Sequence, residues 1–115
     1  MKSKPIVIFI TCSCKKEAQA ISGVLLKKRL VACASISGRI ESRFWWNGHI
    51  DKADEVMLIC KTTKRHFRAA EKEARRLHAY EVPEIIALPI VAGSGSYLHW
   101  LKESVARASP QKRKK

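Results

Sequence analysis

No two cysteines in this chain are spaced C-x-x-C, so the usual zinc-binding pattern is absent. The four cysteines fall at 12, 14, 33 and 60. Most lie in or beside apolar runs, where a free thiol commonly serves as a small buried hydrophobe, and no disulfide framework is expected of a cytosolic chain. No apolar run reaches the ~18 residues of a transmembrane helix. The segment PIVIFI is short and lacks a small-residue cleavage site, so it reads as a strand and not a signal peptide; a cytoplasmic protein is expected. There is no glycine-rich phosphate loop, because GSGS lacks the Lys-Ser/Thr that must follow. No Ser/His/Asp or Cys/His set can be assembled, so no enzyme is expected.

What is present is one domain's worth of core. The chain has 115 residues, 46% of them hydrophobic, which marks a globular protein and not a disordered one. Net charge is +13, and the terminal QKRKK carries four of those charges. Such a balance attracts phosphate-rich partners, or forms a solvated surface. Residues 4–12 form an apolar, β-branched run that predicts a buried strand. Ser13 is placed to cap a helix with Ala18, Ile21, Val24 and Leu25 on one face, ending near Leu30. Thr63 is placed to cap a second helix, with a core stripe of Phe67, Ala70, Ala74 and Leu77 and a basic outer face. Residues 84–91 predict a last strand, held to an edge or broken in two by Pro83 and Pro89, and burying Ile86 and Leu88. Ser94 or Ser96 then caps a short helix with Tyr97, Leu98, Leu101 and Val105. His49 and His66 read as exposed.

Between the two main helices lies a long hairpin. Residues 31–46 predict one strand, and Asn47-Gly48 is a strong type I′ turn signal, since both positions need positive φ. A two-residue turn pairs Trp46 with His49 and Phe44 with Asp51. Continued unbroken, that register sets Ile40 against Glu55 and turns Val56, Leu58 and Cys60 away from Ile36, so a bulge is expected at Gly38 or in DKAD. About fifteen residues at ~3.3 Å each make a strand of roughly 50 Å, whereas a domain of this length is only roughly 35 Å across. The hairpin must therefore bend or project. Trp45 and Trp46 at its tip need cover, most simply from a neighbouring subunit.

The order βαββαβ plus a terminal helix is an α+β, ferredoxin-like plan, a split βαβ sandwich with one sheet face bare. The domain is expected over residues 1–108, with 109–115 a dispensable basic tail. Several pieces in this order resemble the CutA family of divalent-cation tolerance proteins: TC at 11–12, KKRLVACA at 27–34, IESRFWWNGHI at 40–50, EVMLICKT at 55–62, HAYEVPEIIALPI at 78–90 and YLHWL at 97–101. Departures include Ala79 and Ser13 where Pro is usual, ASISG at 34–38, the extra Cys14 and the basic tail. The resemblance implies a homotrimer related in shape to the PII signalling proteins, and a role in tolerance to copper and other divalent metals. It implies no defined catalytic activity.

His78, Glu81 and Glu84 supply imidazole and carboxylates of the kind that bind divalent ions; equally, His78 suits the C-terminal end of a helix through the macrodipole. Cys33 reads as core by itself. The resemblance places it in an intersubunit cleft, where a thiolate suits copper(I). Trp46, Lys61, Tyr80 and Tyr97 become cleft-lining residues by the same resemblance, with hairpin and interface packing the plainer reading. Cys12 and Cys14 form a Cys-x-Cys chelate only if the strand runs through both, and Cys60 reads as core. The rival class is a basic nucleic-acid-binding module on this fold. It is disfavoured because no RNP1-like motif is present and RFWW places no aromatic pair where bases would stack.

Overall fold

The structure is a computed structural model and describes residues 3–105. The boundary at 108 and the 109–115 tail therefore lie outside the described residues. In chain order the elements are β1 (Pro5–Cys12), α1 (Lys15–Lys27), β2 (Cys33–Trp46), β3 (His49–Thr63), a 3-10 turn (Lys64–His66), α2 (Phe67–Leu77), β4 (Ile85–Pro89) and α3 (Gly95–Ser104). The four strands form one antiparallel sheet in the order β2-β3-β1-β4. This is the α+β plan read from the sequence.

Strand alternation divides the side chains. Ile6, Ile8, Ile10 and Cys12 of β1 and Val56, Leu58 and Cys60 of β3 are buried beneath Ala18, Ile21 and Leu25 of α1 and Ala70 and Ala74 of α2. Phe67 and Leu77 pack against this core, completing the expected stripe. α1 starts differently from expectation. Cys14, not Ser13, holds the N-cap position and makes no side-chain cap bond. The helix ends at Lys27, where Leu30 N–H bonds the Leu25 carbonyl and Arg29 N–H the Leu26 carbonyl. That pair of bonds is a Schellman ending, with Arg29 at φ 57 in the left-handed position glycine usually takes.

The hairpin turns through Asn47 (φ 49) and Gly48 (φ 84) and keeps the predicted Trp46–His49 and Phe44–Asp51 pairs. The bulge falls between Ile36 and Arg39. It returns Ile36 to Leu58 on the core side but leaves Ile40 opposite Glu55. Ser37 holds it together: its Oγ accepts from Met57 N–H at 2.8 Å and donates to the Gly38 carbonyl at 2.7 Å. The molecule measures 52 × 27 × 23 Å, its long dimension matching a projecting hairpin.

β4 is an edge strand, as Pro83 and Pro89 require, but shorter than expected. Its register pairs Phe9 with Ile86 and Val7 with Leu88, which puts both β4 residues on the face away from α1 and α2. They are 48% and 46% exposed, not buried; Ile85 faces the core instead. α3 packs against β1 and β3 through Leu101 and Val105, a buried set separate from the helix-side core. Ser94 caps it, accepting from Tyr97 N–H. His66 is buried, not exposed, with Nδ1 2.8 Å from Thr63 Oγ1.

Candidate functional site

Two groups of polar side chains form at different levels of the sheet. The first begins at Glu17, three residues inside α1. Its Oε1 accepts from Ser13 N–H at 2.7 Å and Ser13 Oγ–H at 2.9 Å, and its Oε2 accepts from Ala79 N–H at 2.6 Å. Burial works to raise the Glu17 pKa, but these bonds and nearby His78 outweigh it and hold the carboxyl below its usual range. His78, whose side chain is fully buried, completes the junction. Its Nδ1 accepts from Tyr80 N–H at 3.1 Å, which leaves the proton on Nε2 to be donated to the Thr11 carbonyl at 2.7 Å. The Tyr80 ring lies 4.9 Å from the His78 ring, tilted by 47°, and its hydroxyl donates to buried Glu55 at 2.7 Å. Burial and the Glu55 carboxylate push the Tyr80 phenol well above its ordinary pKa.

Among the described residues, Cys12, Glu17 and His78 form a group whose ligand-type atoms all lie within 4.8 Å of one another. Their chemistry fits a clasp better than a metal centre. Burial, helped by the Glu17 charge, pushes the Cys12 thiol up to about 12, so it stays protonated at neutral pH. The imidazole nitrogens and both Glu17 oxygens are already bonded to main chain. The clasp joins the end of β1, the start of α1, β3 and the loop into β4.

The second group lies at the start of β2. Cys33 pairs in register with Lys61, and its Sγ lies 3.5 Å from Tyr97 Oη on α3. The bond to Cys33, with burial second, raises the Tyr97 phenol to about 12. Cys33 is half-buried, whereas Cys60 on the neighbouring position faces the core, where burial raises its pKa to about 12.

The residues singled out from the sequence thus separate. Cys33, Lys61 and Tyr97 converge; His78 and Tyr80 converge elsewhere. Thr11, which His78 contacts, pairs with Met57, four positions along β3 from Lys61. Those four positions are roughly 13 Å, too far for Cys33 and His78 of one chain to share an ion at bond lengths of ~2 Å. Glu81 and Glu84 are exposed on the loop into β4. Trp46 is at the hairpin tip, thirteen residues along β2 from Cys33. Sequence reasoning missed Glu17 and Glu55. Glu17 carried a signal, because an acidic residue in the first turn of a helix is favoured by the macrodipole; Glu55 carried none, since its burial depends on Tyr80.

A family model described as CutA1 divalent ion tolerance protein matches residues 6–104. The chain is 38% identical over 98 residues to the divalent-cation tolerance protein CutA of Thermus thermophilus, covering 85% of this chain and 95% of that one. It is 38% identical over 99 residues to a chloroplastic CutA 1 protein of Oryza sativa, covering 86% of this chain and 56% of the relative. The chain thus spans about half the length of the plant relative. The solved structure of the Thermus thermophilus protein superposes with a TM-score of 0.87 at 36% identity, over 89% of this chain and 99% of that one.

Proposed function

Because the chain belongs to the CutA1 divalent ion tolerance family, we propose that it is a homotrimer that binds divalent metal ions, copper first, and serves metal tolerance by binding and PII-like signalling, not by catalysis. The observation that carries this reading is an apolar sheet face that runs into an accessible thiol. Val7, Phe9, Ile59, Ile86 and Leu88 share the face on which Cys33 and Lys61 lie, away from α1 and α2. Exposed Phe44, Trp45, Trp46 and Ile50 extend apolar surface along the hairpin. Apolar surface on this scale marks an association site. Docked copies would bring the Trp46 tip of one toward the Cys33–Tyr97 pair of another.

In that assembly Cys33 is the soft ligand, and the exposed carboxylates of Glu81 and Glu84 are the hard ones. His78 joins them only by giving up a main-chain bond. Lys61 and Tyr97 orient the thiol. A thiolate and an imidazole release protons on metal binding, so affinity falls with acid. The cytoplasm is the proposed compartment; among the described residues no helix is long and apolar enough to cross a membrane. Calorimetric copper titration of wild type and of a Cys33→Ser, His78→Ala double variant tests the site. A large loss of affinity in the variant is expected, and unchanged affinity would remove both residues from it.

A further inference from the structure

We propose that the outer face of the helix layer binds duplex nucleic acid through its phosphates, without reading base sequence. Six basic residues lie between 64 and 76: Lys64, Arg65, Arg68, Lys72, Arg75 and Arg76, all exposed. The acids in that stretch are Glu71 and Glu73, and Glu73 is already engaged by Lys28 at 2.9 Å and Arg76 at 2.7 Å. Arg65, Arg68, Lys72 and Arg75 make no ion pair among the described residues. They are spaced i, i+3, i+7 and i+10, the same interval as the core stripe Phe67, Ala70, Ala74 and Leu77 but displaced by two positions. Two positions turn a helix by about 200°, so Arg68, Lys72 and Arg75 of α2 lie on the side opposite the core, and Arg65, in the 3-10 turn just before α2, extends their row.

That row is ~15 Å long, and duplex DNA presents one charge per ~1.7 Å of axis, so about nine phosphate charges can lie along it. Three of its four residues are arginines, whose planar forks match phosphate oxygens. Lys27 adds an exposed cation at the end of α1. No large apolar side chain stands in the row to enter a bilayer, which favours nucleic acid over a lipid surface. The absence of base-stacking aromatics bears on the sheet, not on this face. The inference is independent of the metal reading, since the face that carries Cys33 points away from α1 and α2.

The test is fluorescence anisotropy of the full chain with labelled mixed-sequence DNA of about 20 base pairs, between roughly 50 and 200 mM salt. One variant carries Arg65→Gln, Arg68→Gln, Lys72→Gln and Arg75→Gln; a second carries Lys112→Gln, Arg113→Gln, Lys114→Gln and Lys115→Gln. Both lose the same charge, and glutamine is a good helix former. Two unrelated duplexes should bind equally to the wild type. The helix variant should bind at least about tenfold more weakly, with a salt slope flatter by about 3–4, while the tail variant stays within about threefold. If the helix variant fails to fold, the paired changes Arg65→Gln, Arg68→Gln and Lys72→Gln, Arg75→Gln should each give part of the loss. The proposal is overturned if wild type shows no binding at roughly 100 mM salt, if the tail variant loses as much as the helix variant, or if vesicles rich in phosphatidylserine bind the wild type and duplex does not.

Discussion

Replacing Glu17 by Ala removes three acceptor contacts at once, two of them to the N–H groups of Ser13 and Ala79. Glu17→Ala should cost about 1–2 kcal/mol in denaturant unfolding at fixed protein concentration, since the part-buried Ser13 N–H loses its acceptor whereas the exposed Ala79 N–H can turn to water. The sign of its pH dependence follows from the depressed carboxyl pKa. A group held below its unfolded value contributes stability that is full above about pH 4.3 and is lost as pH falls through the lower folded value. The gap between wild type and Glu17→Gln should therefore close as pH falls below the ordinary carboxylate range. The cysteines should differ as sharply. Cys14 is exposed at the N-cap, and the N–H of Glu17, then the Ser13 hydroxyl, lowers its thiol pKa. Timed alkylation read by mass spectrometry should label Cys14 first and leave Cys12 and Cys60 unlabelled until the protein unfolds. Equal rates at all four would contradict the burial described here.

At the scale of the element, the β2 bulge belongs to Ser37 more than to Gly38. A Cβ at Gly38 would meet nothing within 4 Å, and its φ is not in the left-handed region; Gly48, at φ +84, is. Gly38→Ala should change stability by under ~0.5 kcal/mol, and Gly48→Ala should cost about 1 kcal/mol. Ser37→Ala should cost about 1–2 kcal/mol, because it leaves Met57 N–H without its acceptor. Thermal unfolding of the three variants orders them. The hairpin was legible in the sequence because Asn47-Gly48 fixes a turn, the turn fixes a register, and the register required a bulge. β4 was not. Alternation in IIALP is equally consistent with either face, and only pairing with β1 sends Ile86 and Leu88 outward. Residue type likewise suggested Cys33 and His78 as partners, but nothing in the sequence gives the level of the sheet at which each lands.

For the whole molecule, the long hairpin and the apolar sheet face leave large apolar side chains exposed, the surface on which the proposed trimer would form. Sedimentation equilibrium should give about 39 kDa, three times the 13.0 kDa chain. Trp46→Ala should shift that population toward monomer at micromolar concentration, while a monomeric wild type would remove the basis for a shared site. In the proposed function, metal is held at Cys33 where copies meet. The most direct test is anomalous scattering at the copper edge from crystals soaked in copper. A peak within bonding distance of Cys33 Sγ at a boundary between subunits is the result predicted. Copper found only at exposed histidines such as His49, with the Cys33–Tyr97 pair bare, would contradict it.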